Sequence, residues 1–161
     1  MRWLAALALV ACTTAARPAL VSRIEASPDL DGVRVGRAEA PTLAIVFASW
    51  CTHCKHELAV VDALRAQHPR VRILGINVRA HEEYADRGSA AAVRAYIAAS
   101  APWLRVVPAD NALFTALGRP PKVPTIYVFD RDGHLVETFD RRTRPLPTAD
   151  ELAALLRRLG A

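Results

Sequence analysis

Continuous apolar runs alternate with segments of helical spacing along most of the chain. The runs Leu43–Ala48 and Val71–Val78 are apolar at nearly every position, which is typical of strands buried on both faces. Between them, Thr52–Gln67 places leucine and valine residues three positions apart, which predicts a helix. This helix begins almost directly after the first strand, so residues 50 and 51 lie at a junction between a buried strand and a helix.

The remainder of the chain predicts two helices, a β-hairpin and a final helix. Asp110 can cap the second of these helices and Gly118 can end it, while Thr148 can cap the last one. Together with the first half of the chain, this order predicts an α/β fold with a mixed central β-sheet flanked by helices. The predicted helices are residues 89–100, Asp110–Leu117 and Thr148–Leu159, and the predicted strands are Thr125–Phe129 and His134–Phe139.

The N-terminus has the pattern of a secretory signal peptide. Arg2 is followed by the apolar run Trp3–Ala11, which is too short to span a bilayer, since spanning takes about 20 residues. Leu9-Val10-Ala11-Cys12 resembles the bacterial lipobox, which implies cleavage before Cys12 and a lipid on that cysteine. We therefore expect a signal peptide at 1–11, a tether and approach to the domain at 12–37, and one domain at 38–161. Simple export, and a cytoplasmic protein in which the cysteine is incidental, are the alternatives.

Composition and charge fit a single globular domain. The 161 residues are 52% hydrophobic and 23% charged, and the formal net charge is +5. Because the arginines are scattered among acidic residues, we attribute the charge to solubility and composition and expect no nucleic-acid partner. Cysteines occur only at positions 12, 51 and 54, and this split indicates two separate roles.

The segment Trp50-Cys51-Thr52-His53-Cys54 lies where the first strand gives way to a helix. The first turn of a helix carries unpaired N–H groups and a partial positive charge, which favour a thiolate at Cys51. Cys54 lies one turn further on and can close a small disulfide. This arrangement predicts that Cys51 attacks a substrate disulfide and that Cys54 resolves the mixed disulfide.

Three matched segments resemble the thioredoxin superfamily, and within it the TlpA/ResA-like group of exported, membrane-tethered proteins. They are the motif Phe47–Lys55, the tripeptide Val123-Pro124-Thr125 about seventy residues later, and the hairpin Phe129–Val136. The resemblance covers residues 38–161. It implies a thioredoxin fold, with the mixed sheet in a three-layer α/β/α arrangement, and thiol:disulfide oxidoreductase activity.

The resemblance also implies roles for further residues and partners. Pro124 would follow a cis peptide bond, and Val123 would offer its backbone to a substrate segment. Trp50 would contribute to the substrate-docking surface. No cofactor is implied beyond the redox-active pair itself. The expected partners are protein thiols and disulfides and an upstream redox protein. The protein would be a monomeric lipoprotein anchored at the membrane, in the periplasm or on the extracytoplasmic face.

Two departures from the family pattern bear on the direction of electron flow. Thioredoxin proper has a buried aspartate where this chain has Ile45, and many relatives have proline between the two cysteines, where this chain has Thr52-His53. A histidine at position 53 also resembles the oxidant DsbA, so we expect Thr52 and His53 to tune the reduction potential. The overall architecture favours a reductase, and we expect that direction.

Other classes of site compete with this interpretation. Cys51, Cys54 and His56 offer soft ligands for copper or zinc, so a metal-binding or chaperone module is the main alternative. A c-type haem attachment site is excluded, because it needs histidine where this chain has Lys55. A peroxiredoxin is disfavoured, because that family has threonine or serine where this chain has Ala48. A purely structural disulfide would close too short a loop to stabilise the fold much.

Overall fold

A computed structural model describes residues 18–161 of the chain. Six α-helices, five strands and one short 3₁₀ helix (Tyr84–Asp86) are present in this part of the chain. The helices are α1 (Ala19–Ala26), α2 (Thr52–Gln67), α3 (Arg79–Glu82), α4 (Ala90–Ser100), α5 (Asn111–Ala116) and α6 (Ala149–Arg158). The strands are β1 (Thr42–Phe47), β2 (Arg72–Val78), β3 (Arg105–Ala109), β4 (Thr125–Phe129) and β5 (Leu135–Phe139).

The strands form a single mixed sheet in the order β3-β2-β1-β4-β5. Strands β1, β2 and β3 are parallel, whereas β4 runs antiparallel to β1 and to β5. At the centre of the sheet, Ile45 lies opposite Gly75 on one side and Ile126 on the other. This confirms the predicted mixed sheet and makes β1 its central strand.

Side chains of β1 point alternately into two hydrophobic cores, one on each face of the sheet. Leu43, Ile45 and Phe47 join the core that receives α2, α4 and α6. Ala44 and Val46 join the core that receives α1 and α5. Because every residue of β1 is buried, a continuous apolar run is what the strand needs. The predicted three-layer α/β/α arrangement is therefore confirmed.

The segment expected to be a tether contains the helix α1, which packs on the sheet. Val21 and Ile24 of this helix are fully buried. Its Glu25 accepts a hydrogen bond from the Arg72 guanidinium at 3.1 Å, which ties the helix to the start of β2. The prediction missed α1 because only two fully buried apolar residues, three positions apart, mark its inner face.

Strand β3 is the second element that the hydrophobic pattern did not predict. Val106 and Val107 are buried, but Pro108 follows them and suggests a loop. Among the strands of residues 18–161, β3 pairs with β2 alone and lies at one edge of the sheet, where a residue without an N–H group is tolerated.

The predicted signal peptide at 1–11 and the lipidation site at Cys12 lie outside the described residues. Within residues 18–161, every helix is too short or too polar to cross a bilayer.

Candidate active site

Cys51 is the N-cap residue of α2, four residues after the end of β1. Its backbone N–H donates to the carbonyl of Ala48 at 3.1 Å, which turns the chain from the strand into the helix. Its Sγ accepts a hydrogen bond from the backbone N–H of Cys54 at 3.3 Å. The sulfur therefore takes the place that a capping oxygen usually occupies, where a helix N-terminus favours negative charge.

The two cysteines are both free thiols, but they differ in accessibility. Cys51 is 6% exposed, whereas Cys54 is completely buried. Burial raises the pKa of the Cys54 thiol far above its ordinary value, and its hydrogen bond with Cys51 raises it further. A substrate disulfide can thus reach Cys51 first, while Cys54 stays protonated as the second thiol.

The loop before β4 faces the exposed side of Cys51. The peptide bond between Val123 and Pro124 is cis, as the resemblance implied. The Cys51 thiol lies 3.9 Å from the carbonyl oxygen of Val123. The same oxygen accepts a hydrogen bond from Nη1 of Arg141 at 3.0 Å, which places a fixed positive charge beside the thiols. Arg141 lies in the loop after β5, 18 residues from Val123 in sequence, so no local pattern marks it.

Trp50 is held rigidly next to Cys51. Its indole Nε1 donates to two backbone carbonyls of α3, those of His81 at 3.1 Å and Glu82 at 2.9 Å. One face of the ring carries the guanidinium of Arg87 at 5.1 Å, and Tyr84 lies beside it at 6.5 Å. The predicted substrate-facing tryptophan is therefore part of an ordered aromatic surface next to the reactive sulfur.

Glu82 is a buried carboxyl group that fixes the backbone at Ser49, just before Trp50 and Cys51. It is 1% exposed and accepts hydrogen bonds from the Ser49 backbone N–H and the Asn77 amide, both at 2.8 Å, and from the Ser49 hydroxyl. A Cβ at position 88 would come within 2.7 Å of the Glu82 carbonyl, so Gly88 leaves room for this residue. Nothing local in the sequence marks Glu82, because its partner Ser49 lies 33 residues away.

The other residues of the motif point to solvent. Thr52, His53 and His56 are exposed on the first turns of α2, so the tuning role of Thr52 and His53 stays a prediction. Within residues 18–161, Cys51, Cys54 and His56 do not bring three ligand atoms close together. The group that does so, Asp130, Asp132 and His134, lies in the turn between β4 and β5.

Glu57 is buried one helical turn beyond Cys54, on the same face of α2. It is 4% exposed, and its Oε1 atom has no hydrogen-bond partner in the described part of the chain. Burial raises the pKa of this carboxyl group, and the nearby His56 lowers it by a smaller amount. The site therefore holds a buried titratable carboxyl group one helical turn from Cys54. Its spacing of three residues from Cys54 was the sequence feature that could have identified it.

Replacing Glu57 with glutamine is expected to stabilise the fold in a pH-dependent way. A raised pKa in the folded state favours the protonated carboxyl, so Glu57 contributes stability at low pH and loses that contribution as pH rises through its folded-state pKa. Glu57→Gln should raise the free energy of unfolding by about 1 kcal/mol at pH 8 and by less at pH 4.5. Urea unfolding at the two pH values measures this, with the exposed Glu39→Gln as control. An equal effect at both values would contradict the assignment.

The fold found here is shared by many solved structures of low sequence identity. MTB dsbF, in mixed oxidized and reduced forms, is 19% identical with a TM-score of 0.68, covering 89% of this chain and 99% of that one. A secreted Mycobacterium tuberculosis disulfide oxidoreductase homologous to E. coli DsbE is 18% identical with a TM-score of 0.66, covering 85% and 98%. The exposed lipoprotein thioredoxin Etrx1 of Streptococcus pneumoniae is 19% identical with a TM-score of 0.64, covering 82% and 96%.

Comparison by sequence gives a different result. Neither protein-family models nor curated proteins match this sequence. At identities below one fifth the structural likeness establishes the architecture, which agrees with the strand order and layers described above. The chain therefore has the thioredoxin fold.

Proposed function

We propose that the protein is a thiol:disulfide oxidoreductase that works through Cys51 and Cys54. The observation that carries this proposal is the placement of two thiols at the N-terminus of α2, one reachable and one fully buried. The reachable sulfur faces the backbone of Val123, where an extended substrate segment can lie alongside it. A secreted disulfide oxidoreductase and a protein solved in mixed oxidized and reduced forms share this fold, which supports the same chemistry.

The reaction consists of two exchanges between sulfur atoms. The Cys51 thiolate attacks a substrate disulfide, forms a mixed disulfide and releases the first substrate thiolate, which takes up a proton. Cys54 then loses its proton and attacks the Cys51 sulfur, which releases the second substrate thiolate and closes the Cys51–Cys54 disulfide. Two electrons pass from the protein to the substrate, and no bound cofactor takes part. An upstream redox protein would return the pair to the dithiol form.

The direction that we propose is reduction of the substrate. Equilibration with a thiol redox buffer, followed through the fluorescence of Trp50 beside Cys51, measures the reduction potential of the pair. A value of about −250 mV or lower, near that of thioredoxin, is expected for a reductase. A value of about −120 to −180 mV would contradict this direction and assign the raised potential to His53. The Cys51→Ser variant should show no fluorescence transition and serves as the control.

The proposed location is the extracytoplasmic face of a membrane, with the protein held as a lipoprotein through Cys12. The N-terminal pattern supports this, and solved structures of the same fold include a secreted protein and an exposed lipoprotein. The tether would hold the domain near other exported thiol proteins and leave it monomeric. Palmitate labelling of cells tests the proposal: the full chain should be labelled and Cys12→Ala should not, whereas an unlabelled full chain would refute it.

A further inference from the structure

A groove of about 370 Å³ runs along the protein surface beside Cys51. Its end nearest the reactive sulfur is marked by Val123, whose carbonyl oxygen lies 3.9 Å from the Cys51 thiol. A substrate segment bound at Cys51 therefore extends into this groove. The residues that line it are Trp50, His81, Tyr84, Pro121, Lys122, Val123 and Arg141.

The floor of the groove is aromatic and rigid. Trp50 is fixed by two hydrogen bonds from its indole nitrogen, and Tyr84 leaves 62% of its surface exposed next to it. The imidazole of His81, which also lines the groove, is fixed in turn, since its Nε2 lies 2.7 Å from the carbonyl oxygen of Pro120. Preformed aromatic surfaces of this kind bind the apolar parts of a peptide with little loss of conformational freedom.

The charges at the groove are positive. Lys122 is exposed at its wall, and Arg141 enters from the loop after β5. The guanidinium of Arg87 lies over the rings of Trp50 and Tyr84, at 5.1 and 5.9 Å from their centres, and adds a third positive charge at the rim.

No acidic side chain among residues 18–161 lines the groove. Glu82 points inward to Ser49 and Asn77. Glu83 pairs with Arg79 at 2.8 Å. Asp140 accepts backbone hydrogen bonds within its own turn, which lower its pKa to about 2.

Arg141 is the charge best placed to contact a substrate near its cysteine. Its Nη1 group holds the Val123 carbonyl at 3.0 Å, which fixes the guanidinium beside the path of the peptide. A guanidinium has five N–H donors, and a carboxylate can accept two of them in parallel. Donors that do not face Val123 are therefore available to an acidic side chain of the substrate.

We propose that this groove binds an extended substrate segment with acidic side chains next to its disulfide-bonded cysteine. Lys122, Arg141 and Arg87 would contact the carboxylates, while Trp50 and Tyr84 would contact the apolar parts of the segment. The proposal rests on the proposed function, since it names the class of protein substrate that reaches Cys51. It requires no chemistry beyond the two exchanges already described.

The test compares two disulfide-linked peptides that differ only in the residues flanking the cysteine, two glutamates in one and two lysines in the other. The ratio of their kcat/KM values is measured for the wild-type protein, for the Arg87→Glu/Lys122→Glu double variant, and for Arg70→Glu. Arg70 is exposed in the turn before β2, at the opposite end of the parallel strands from Cys51. The reduction of 2-hydroxyethyl disulfide is measured as well. This substrate is uncharged, so its rate reports the thiol chemistry without any contribution from the charges of the groove.

The wild-type protein should prefer the acidic peptide about tenfold at low salt, which is the effect of two to three exposed charge pairs. The preference should weaken in 0.5 M salt, persist in Arg70→Glu and disappear or reverse in the double variant. Equal rates for the two peptides, with 2-hydroxyethyl disulfide still reduced, would overturn the groove proposal and leave the proposed function intact. If the wild-type protein reduces none of the three disulfides, the proposed function is overturned, and the groove proposal with it.

Discussion

Replacing Cys51 with serine is expected to abolish disulfide reduction, whereas replacing Cys54 with serine should trap the protein on its substrate. Cys51 is the thiol that a substrate can reach, and a hydroxyl group at that position does not ionise to attack sulfur. Cys54 is buried beneath it and is needed only to resolve the mixed disulfide. Reduction of insulin with dithiothreitol as electron donor measures turnover, and non-reducing electrophoresis followed by mass spectrometry detects the trapped complex.

The His56→Ala variant provides a matched control on the same helix. His56 is exposed, so the dithiol mechanism predicts unchanged insulin reduction in this variant. A metal-binding module would instead carry stoichiometric copper or zinc after purification and lose it in His56→Ala. Full activity in both cysteine variants would contradict the roles assigned to Cys51 and Cys54.

Replacing Glu82 with alanine is expected to cost about 3 kcal/mol of folding free energy and to slow the thiol chemistry. The carboxyl group accepts hydrogen bonds from Ser49 and Asn77 in a region closed to solvent, and their donors would be left without acceptors. Ser49 is two residues before Cys51, so its backbone helps to place the sulfur at the start of α2. Urea unfolding measures the stability, and the reduction rate of 2-hydroxyethyl disulfide measures the alignment of Cys51.

The Glu82→Gln variant separates loss of the hydrogen bonds from loss of the charge. A glutamine can keep its oxygen toward the Ser49 N–H and the Asn77 amide, and its NH₂ group can donate to the Ser49 hydroxyl. Glu82→Gln should therefore lower the free energy of unfolding by less than about 1 kcal/mol. In Gly88→Ala the new Cβ would collide with the Glu82 main chain and side chain, so this variant should also lower the free energy of unfolding and slow the thiol chemistry. Equal stability losses in Glu82→Ala and Glu82→Gln would refute the hydrogen-bonding role.

The elements predicted best from sequence are those with long and consistent patterns. Helix α2 and strand β4 have the predicted bounds, because Thr52–Gln67 repeats a buried face over four turns and Thr125–Phe129 is buried at every position. Helix α1 and strand β3 were missed because each is short and has a weak local pattern. Their places in the fold depend on long-range contacts, such as that of Arg72 with Glu25, which periodicity does not encode.

The same distinction holds within the candidate site. Cys51, Cys54 and the Val123–Pro124 pair belong to short motifs, so their positions could be predicted from neighbouring residues alone. Glu82 and Arg141 act on the motif from 33 and 18 residues away in sequence, respectively, through Ser49 and Val123. Helix α3, which follows β2 directly, carries Glu82, and the loop after β5 carries Arg141. Only the folded sheet places these two segments beside the start of α2.

A single-turnover reaction tests the central claim most directly. The protein is fully reduced, freed of reductant and mixed with excess insulin, and both products are alkylated and identified by mass spectrometry. One new Cys51–Cys54 disulfide is expected for each insulin disulfide that is reduced. Insulin left intact, with Cys51 and Cys54 still present as thiols, would contradict the exchange mechanism.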